Sequence, residues 1–150
     1  MRIALLLPAG LAPRACGLLL AACGLLLAGC HNREAPAQGA ALYAQNCASC
    51  HGPGGRGQNP ARPSGALVPE REGFIAPALD GRGHCAEHPR EELVRIVREG
   101  SRVPGSPMIG VQGRLTDPEI RAIVSYLESL WDRRTRNRYE ARERALGAKN

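Results

Sequence analysis

A chain of 150 residues with a net charge of +6 has room for one domain and short appendages. The charge is uneven: residues 132–150 hold seven basic and three acidic side chains, while residues 30–131 hold eleven of each. A basic balance would ordinarily raise nucleic-acid binding, but here the excess sits in one tail, which weakens that reading.

In chain order, the first segment stands apart from any fold. "MRIALLLPAGLAPRACGLLLAACGLLLAGC" has early Arg2 and Arg14, an uncharged apolar run from Ala15 to Gly29, and small residues at its end. That is the layout of a secretory signal over residues 1–29. The run is short for a bilayer-spanning helix, which needs about 20 apolar residues; an uncleaved anchor is the rival reading. "LAGC", Leu27 to Cys30, resembles the lipobox of bacterial lipoproteins, and the resemblance implies an acylated Cys30 at the mature N-terminus. The plainer alternative is an ordinary cleavage site beside a chance cysteine.

Residues 30–37 then read as a short polar, Pro-containing tether. The domain proper is expected over 38–131 and a charged extension over 132–150. A first helix is predicted from Gly39 to about Cys50, with Leu42 and Tyr43 on one face. Residues 52–88 are rich in Gly, Pro and Arg without a period of 2 or 3.6, so they read as loop with a helical turn at most. "HPREELVRIVREG" restores order: Pro89, Glu91 and Glu92 suit a helix start and Gly100 its stop. After the loop 101–115, "TDPEIRAIVSYLESLW" gives the clearest helix. Thr116 and Glu119 have capping-box spacing, and Ile120, Ile123, Val124, Leu127, Leu130 and Trp131 form one apolar stripe. The extension could prolong this helix but offers little to bury.

Residues 38–131 thus contain three helices, much loop and four aromatic side chains. A core this small needs a staple, and a loop this long needs something to wrap around. Disulfides do not supply it. Cys16 and Cys23 leave with the signal, Cys30 would carry lipid, and the odd number left (Cys47, Cys50 and Cys85) excludes a simple disulfide framework. A large apolar cofactor would serve.

"NCASCH", residues 46–51, points to which one. On a helix, Cys47 and Cys50 lie one turn apart on the same face, with His51 four residues after Cys47. Two thiols so spaced can add to two vinyl groups on one edge of a haem while the imidazole meets the iron, and Cys-x-x-Cys-His is the attachment signature of c-type haem. A thiol oxidoreductase would place the pair after a strand, and a structural zinc site would need a second ligand pair; the sequence offers neither. With Met1 lost alongside the signal, Met108 in "VPGSPMIG" is the thioether left to complete the iron's axial positions, on a loop stiffened by Pro104 and Pro107. His/Met ligation raises the reduction potential and favours one-electron transfer over oxygen chemistry. "GHCAEHP", residues 83–89, gathers His84, Cys85 and His88. The plain reading is a loop and helix start beside the haem; the others are a histidine in place of Met108, or a secondary metal or redox role for the thiol.

Over residues 38–131 the chain resembles the class I c-type cytochromes. Gly39 and Tyr43 resemble the positions where the first helix crosses the last near Tyr126 and Leu127. "CASCHG" is the haem motif, "SPMIG" matches the methionine loop, and "TDPEIRAIVSYLESLW" is very like the last helix. Two departures are a Pro before Met108, where many relatives have one after it, and a long first loop. The resemblance implies a small all-α cytochrome c fold, three to five helices with Gly/Pro loops around one covalent haem c. It also implies that a carbonyl from a Pro-containing loop fixes Nδ1–H of His51, with Pro53, Pro60 and Pro63 as candidates.

The function expected is therefore one-electron transfer rather than catalysis: Cys47 and Cys50 as thioether tethers, His51 and Met108 as axial ligands, and Cys30 as lipid anchor. Such a protein is expected to be a monomer on a periplasm-facing membrane surface, inner or outer undetermined, docking transiently with redox proteins. A haem-based sensor of a small ligand and a haem subunit of a dehydrogenase or oxidase are the alternatives.

Overall fold

A computed structural model describes residues 36–63, 66–67 and 74–148. The signal, Cys30 and tether residues 31–35 lie outside them. Five helices carry the fold among the described residues: α1 over 36–46, α2 Ala48–His51, α3 Arg90–Glu99, α4 Asp117–Leu130 and α5 Arg133–Gly147. Short 3₁₀ turns at Pro53–Gly55 and Cys85–Glu87 punctuate the long loop. The expectation of no strands is corrected only by a two-residue antiparallel pair, Ala66–Leu67 (β1) with Phe74–Ile75 (β2), too short to show as alternation. The fold is mostly helical, as the small all-α cytochrome c fold requires. Among the described residues, no helix is long and apolar enough to cross a membrane.

Residues 36 and 37, read above as the end of the tether, are already helical; a proline such as Pro36 is tolerated in a first helical turn. Helix α1 crosses α4 where Gly39 meets Ala122. A Cβ on Gly39 would stand 2.0 Å from the Ala122 carbonyl oxygen and 2.9 Å from the Tyr126 Cβ, so only a hydrogen fits. One turn on, Tyr43 and Tyr126 stack at 5.3 Å with a 51° tilt.

Helix α4 begins as its sequence predicts: both the amide and the hydroxyl of Thr116 donate to Glu119 Oε2, at 2.8 and 2.7 Å. Its stripe is buried, with Ile120, Ile123, Val124 and Leu127 all at 3 % exposure or less. Across it lies α3, tied by Arg90 to Glu128 and Ser125, by Arg98 to Asp117 and by Arg121 to Glu91. The last two pairs are exposed, so the apolar stripe rather than the ion pairs holds the two helices together.

The C-terminal extension departs from expectation. Its composition allows a continuation of α4 and offers little to bury, yet it is a separate helix folded back on the domain. Trp131 ends α4 in an extended conformation, and Asp132 caps α5 by accepting from the Thr135 amide at 2.8 Å. Thr135 and Tyr139, four apart, are buried, and the Tyr139 ring meets Trp131 edge-on at 4.7 Å. Trp131 itself donates Nε1–H to the Leu79 carbonyl at 2.9 Å. Two inward residues suffice because the arginines around them extend charged heads to solvent or to backbone carbonyls.

The cap makes this docking sensitive to acid. The Thr135 amide bond holds the Asp132 carboxyl below its usual range. A depressed folded-state pKa contributes stability that is present above the unfolded value and is lost as pH falls through the folded one. Trp131, the chain's one tryptophan, reports it: its fluorescence is expected to change below about pH 4 in the parent protein. That transition should be absent in Asp132→Asn, whose cap does not titrate.

Candidate cofactor site

The motif "CASCH" does not lie on one continuous helix. Helix α1 ends before Cys47, which caps α2 with φ −126° and ψ −32°. The turn nevertheless closes, because the Cys47 carbonyl accepts from the amides of Cys50 at 3.2 Å and His51 at 2.9 Å. The spacing argument thus holds on a local turn instead of a long helix. Tyr43 fastens the far end by donating its hydroxyl to the Gly52 carbonyl at 2.7 Å.

His51 is buried, at 7 % exposure. Its Nδ1–H donates to the Pro77 carbonyl at 2.9 Å. This corrects the expectation that Pro53, Pro60 or Pro63 supplies that acceptor. The acceptor is 26 residues away along the chain, and a lattice of backbone bonds places it. Gly57 N–H donates to the His51 carbonyl at 2.7 Å, Gln58 N–H to Ala76 at 3.0 Å, and Leu79 N–H to Gly55 at 2.7 Å. Pro63 does contribute, one step removed, by accepting from the Ala78 amide at 2.7 Å. Burial pushes the imidazole pKa down, opposed only by the Pro77 bond. The ring is thereby kept neutral, with Nε2 as its free basic nitrogen, the form that ligates a metal.

Met108 comes to the same place by a different construction. Gly100 stops α3 at φ +93°, a left-handed conformation that a side chain would strain. A Cβ there would also meet the Met108 carbonyl oxygen at 2.7 Å. The chain can therefore turn back on itself, and the Ser101 amide donates to that carbonyl at 3.1 Å. The Met108 amide in turn donates to Ser106 Oγ at 3.3 Å. The methionine loop is fixed by backbone bonds as well as by its prolines.

Cys47, Cys50, His51 and Met108 all line one cavity of about 910 Å³, at the upper end of the range for ligand clefts. Much of the remaining wall is apolar, with Leu93, Val97, Val111, Ile123 and Leu127 among its residues. Burial, with the neighbouring Cys50 adding to it, pushes the Cys47 thiol up to about 11, so at neutral pH it is a protonated thiol. The features suit a haem: a large apolar cleft, two thiols and a neutral buried imidazole at one end, and a thioether on a rigid loop.

His84, Cys85 and His88 line the cavity too. The two imidazoles meet edge-on at 5.5 Å, and His88 Nδ1 lies 3.5 Å from Glu92 Oε2. Cys85 is buried in the core, and burial raises its thiol to about 12. No group of three or more His, Cys, Asp or Glu side chains among the described residues is arranged to hold a metal ion. The segment "GHCAEHP" lines the cavity and joins the core through its cysteine.

Pro77 and α5 are the parts that sequence reasoning missed. The first acts through its backbone and has no side-chain signature; the second is hidden by a mean composition that masks Thr135 and Tyr139.

Comparison with known proteins gives the chain a family. The chain is 34 % identical over 98 residues to "Cytochrome c oxidase subunit 2" of Bacillus sp. (strain PS3), an alignment covering 62 % of this chain and 25 % of that protein. It thus spans about a quarter of the relative's length. No solved structure matches. Residues 34–127, which include both Cys47–His51 and Met108, match the model of "Cytochrome C oxidase, cbb3-type, subunit III", and the chain belongs to that family.

Proposed function

We propose that this protein is a one-electron carrier holding a single haem c. In this reading Cys47 and Cys50 tether it by thioethers, and His51 and Met108 are its axial ligands. Lipid on Cys30 keeps the domain at a periplasm-facing membrane surface. The observation that carries the reading is the convergence on one apolar cavity of a Cys-x-x-Cys-His turn and a methionine far along the chain. Haem c so held supplies reversible one-electron transfer at a raised potential.

The protein's own part is to hold and to exclude. Pro77 orients the His51 ring, and the Gly100 turn orients the methionine loop. The apolar wall keeps water from the interior and favours a raised potential. Cys50 is exposed, and Ile109 beside Met108 is 78 % exposed at the cavity rim. A partner can therefore approach one edge in a brief, small-interface encounter. Nothing in this arrangement needs a substrate bond to be made or broken.

The names of the family and of the relative favour a second reading: the same domain serving as the haem subunit of an oxidase, handing electrons on within a complex. Both readings share the ligand set, which visible spectroscopy of the purified protein tests. In the ferric form the methionine–iron charge-transfer band is expected in the parent and in His84→Ala, and is expected to vanish in Met108→Ala. After reduction, carbon monoxide should leave the parent spectrum unchanged. A band that survives in Met108→Ala, or a parent that binds carbon monoxide readily, would displace Met108 as ligand and favour a sensor.

A further inference from the structure

The turn at residues 84–88 is cavity wall on one side; on the other it is held by α5. Arg142 donates from one terminal nitrogen to the Ala86 carbonyl at 2.6 Å and to the His88 carbonyl at 3.3 Å. The same guanidinium lies 5.4 Å from the centre of the Tyr139 ring, which is itself buried against Trp131. Asp132 and Arg136 fix the start of the helix, the latter by donating to the Trp131 carbonyl at 2.9 Å. These contacts join residues 54 and 56 positions apart, across the boundary between the expected domain and its extension.

We propose that α5 is a latch on the cofactor cavity, with Arg142 as its positioning residue: by clamping the 85–88 turn from outside, it keeps Cys85 sealed and sets the position of the His84–His88 wall. The chemistry favours arginine. Two carbonyls of a turn that faces inward elsewhere are satisfied by one planar cation that lies over an aromatic ring. A lysine keeps the charge and donors enough for both carbonyls but loses the planar guanidinium over the Tyr139 ring. Because the bonds are charge-assisted and their acceptors belong to backbone, losing them frees the turn as a unit and not one side chain alone.

The part concerning the wall's effect on bound haem rests on the proposed function; the seal on Cys85 does not. The test therefore uses two readouts on the full exported protein: parent, Arg142→Ala and Arg142→Lys. The first is the rate at which an alkylating reagent modifies Cys85 in the folded protein, resolved by peptide mass so that Cys47 and Cys50 are counted separately. With parent-like helicity by circular dichroism, Arg142→Ala should react about tenfold faster or more, and Arg142→Lys should lie between. The second is the ferric visible spectrum, expected to shift in Arg142→Ala as the histidine wall moves. Should Arg142→Ala fail to fold, the Lys variant carries the test by the same criterion. Unchanged Cys85 reactivity in a folded variant overturns the latch. A faster Cys85 with an unchanged spectrum overturns its control of the haem environment. A protein without haem that still melts cooperatively would sink the proposed function and leave the first readout decisive.

Discussion

Gly39→Ala unfolds at a temperature roughly 10–20 °C below the parent, a loss of about 3 kcal/mol, at the upper end of the usual cost of overpacking. The magnitude follows from what the new methyl meets. Its nearest neighbour is a backbone carbonyl oxygen, at 2.0 Å. That oxygen sits in the middle of α4, so it cannot rotate aside as a side chain would. Relief requires α1 to move away from α4, and the Tyr43–Tyr126 contact one turn on would open with it. Tyr43 also pins the end of the Cys47–His51 turn through the Gly52 carbonyl, so the damage should reach the cofactor site. Thermal melts followed by circular dichroism measure the first effect. A melting temperature within a few degrees of the parent would show that the crossing is looser than described.

The second large effect is expected from Cys47→Ala with Cys50→Ala. On the proposed function, losing both tethers leaves only His51 and Met108 to hold the group that fills the cavity of about 910 Å³. Apolar walls that enclose so large a void lose their contacts on one side, and the domain is too small to compensate. The double variant should therefore lack a cooperative thermal transition, bind an apolar dye as expanded compact states do, and keep only part of its helicity. The single substitutions should be milder, because one thioether still tethers the group. A sharp melt in the double variant would mean that the helices alone suffice as a core.

Much of this was legible in the sequence wherever chemistry demands a particular side chain. Two thiols and an imidazole at fixed spacing, a lone thioether on a stiffened loop, and a capped apolar stripe depend on residue identity, which a sequence displays directly. The crossing at Gly39 was legible only through the family resemblance; the structure supplies its reason, since only glycine lets two helix backbones approach so closely. What could not be read depends on the backbone. The Pro77 carbonyl carries no mark distinguishing it from those of Pro53, Pro60 and Pro63; only the lattice through Gly55, Gly57 and Gln58 selects it. The break at Cys47 is invisible for the same reason. Helix α5 failed differently: a tail with five exposed arginines looks solvated, yet Thr135, Tyr139 and the guanidinium of Arg142 are enough to dock it. Amphipathicity was present there but narrow, one residue per turn.

The central claim is that residues 47–51 carry a covalent haem. It is tested most directly by purifying the protein from a host that attaches haem, denaturing and digesting it, and weighing the peptide that contains Cys47, Cys50 and His51. One haem bound through both cysteines, surviving denaturing electrophoresis and acid–organic extraction, is the predicted result. A peptide with two free or mutually disulfide-bonded thiols, from a protein whose haem is extractable or absent, would contradict it.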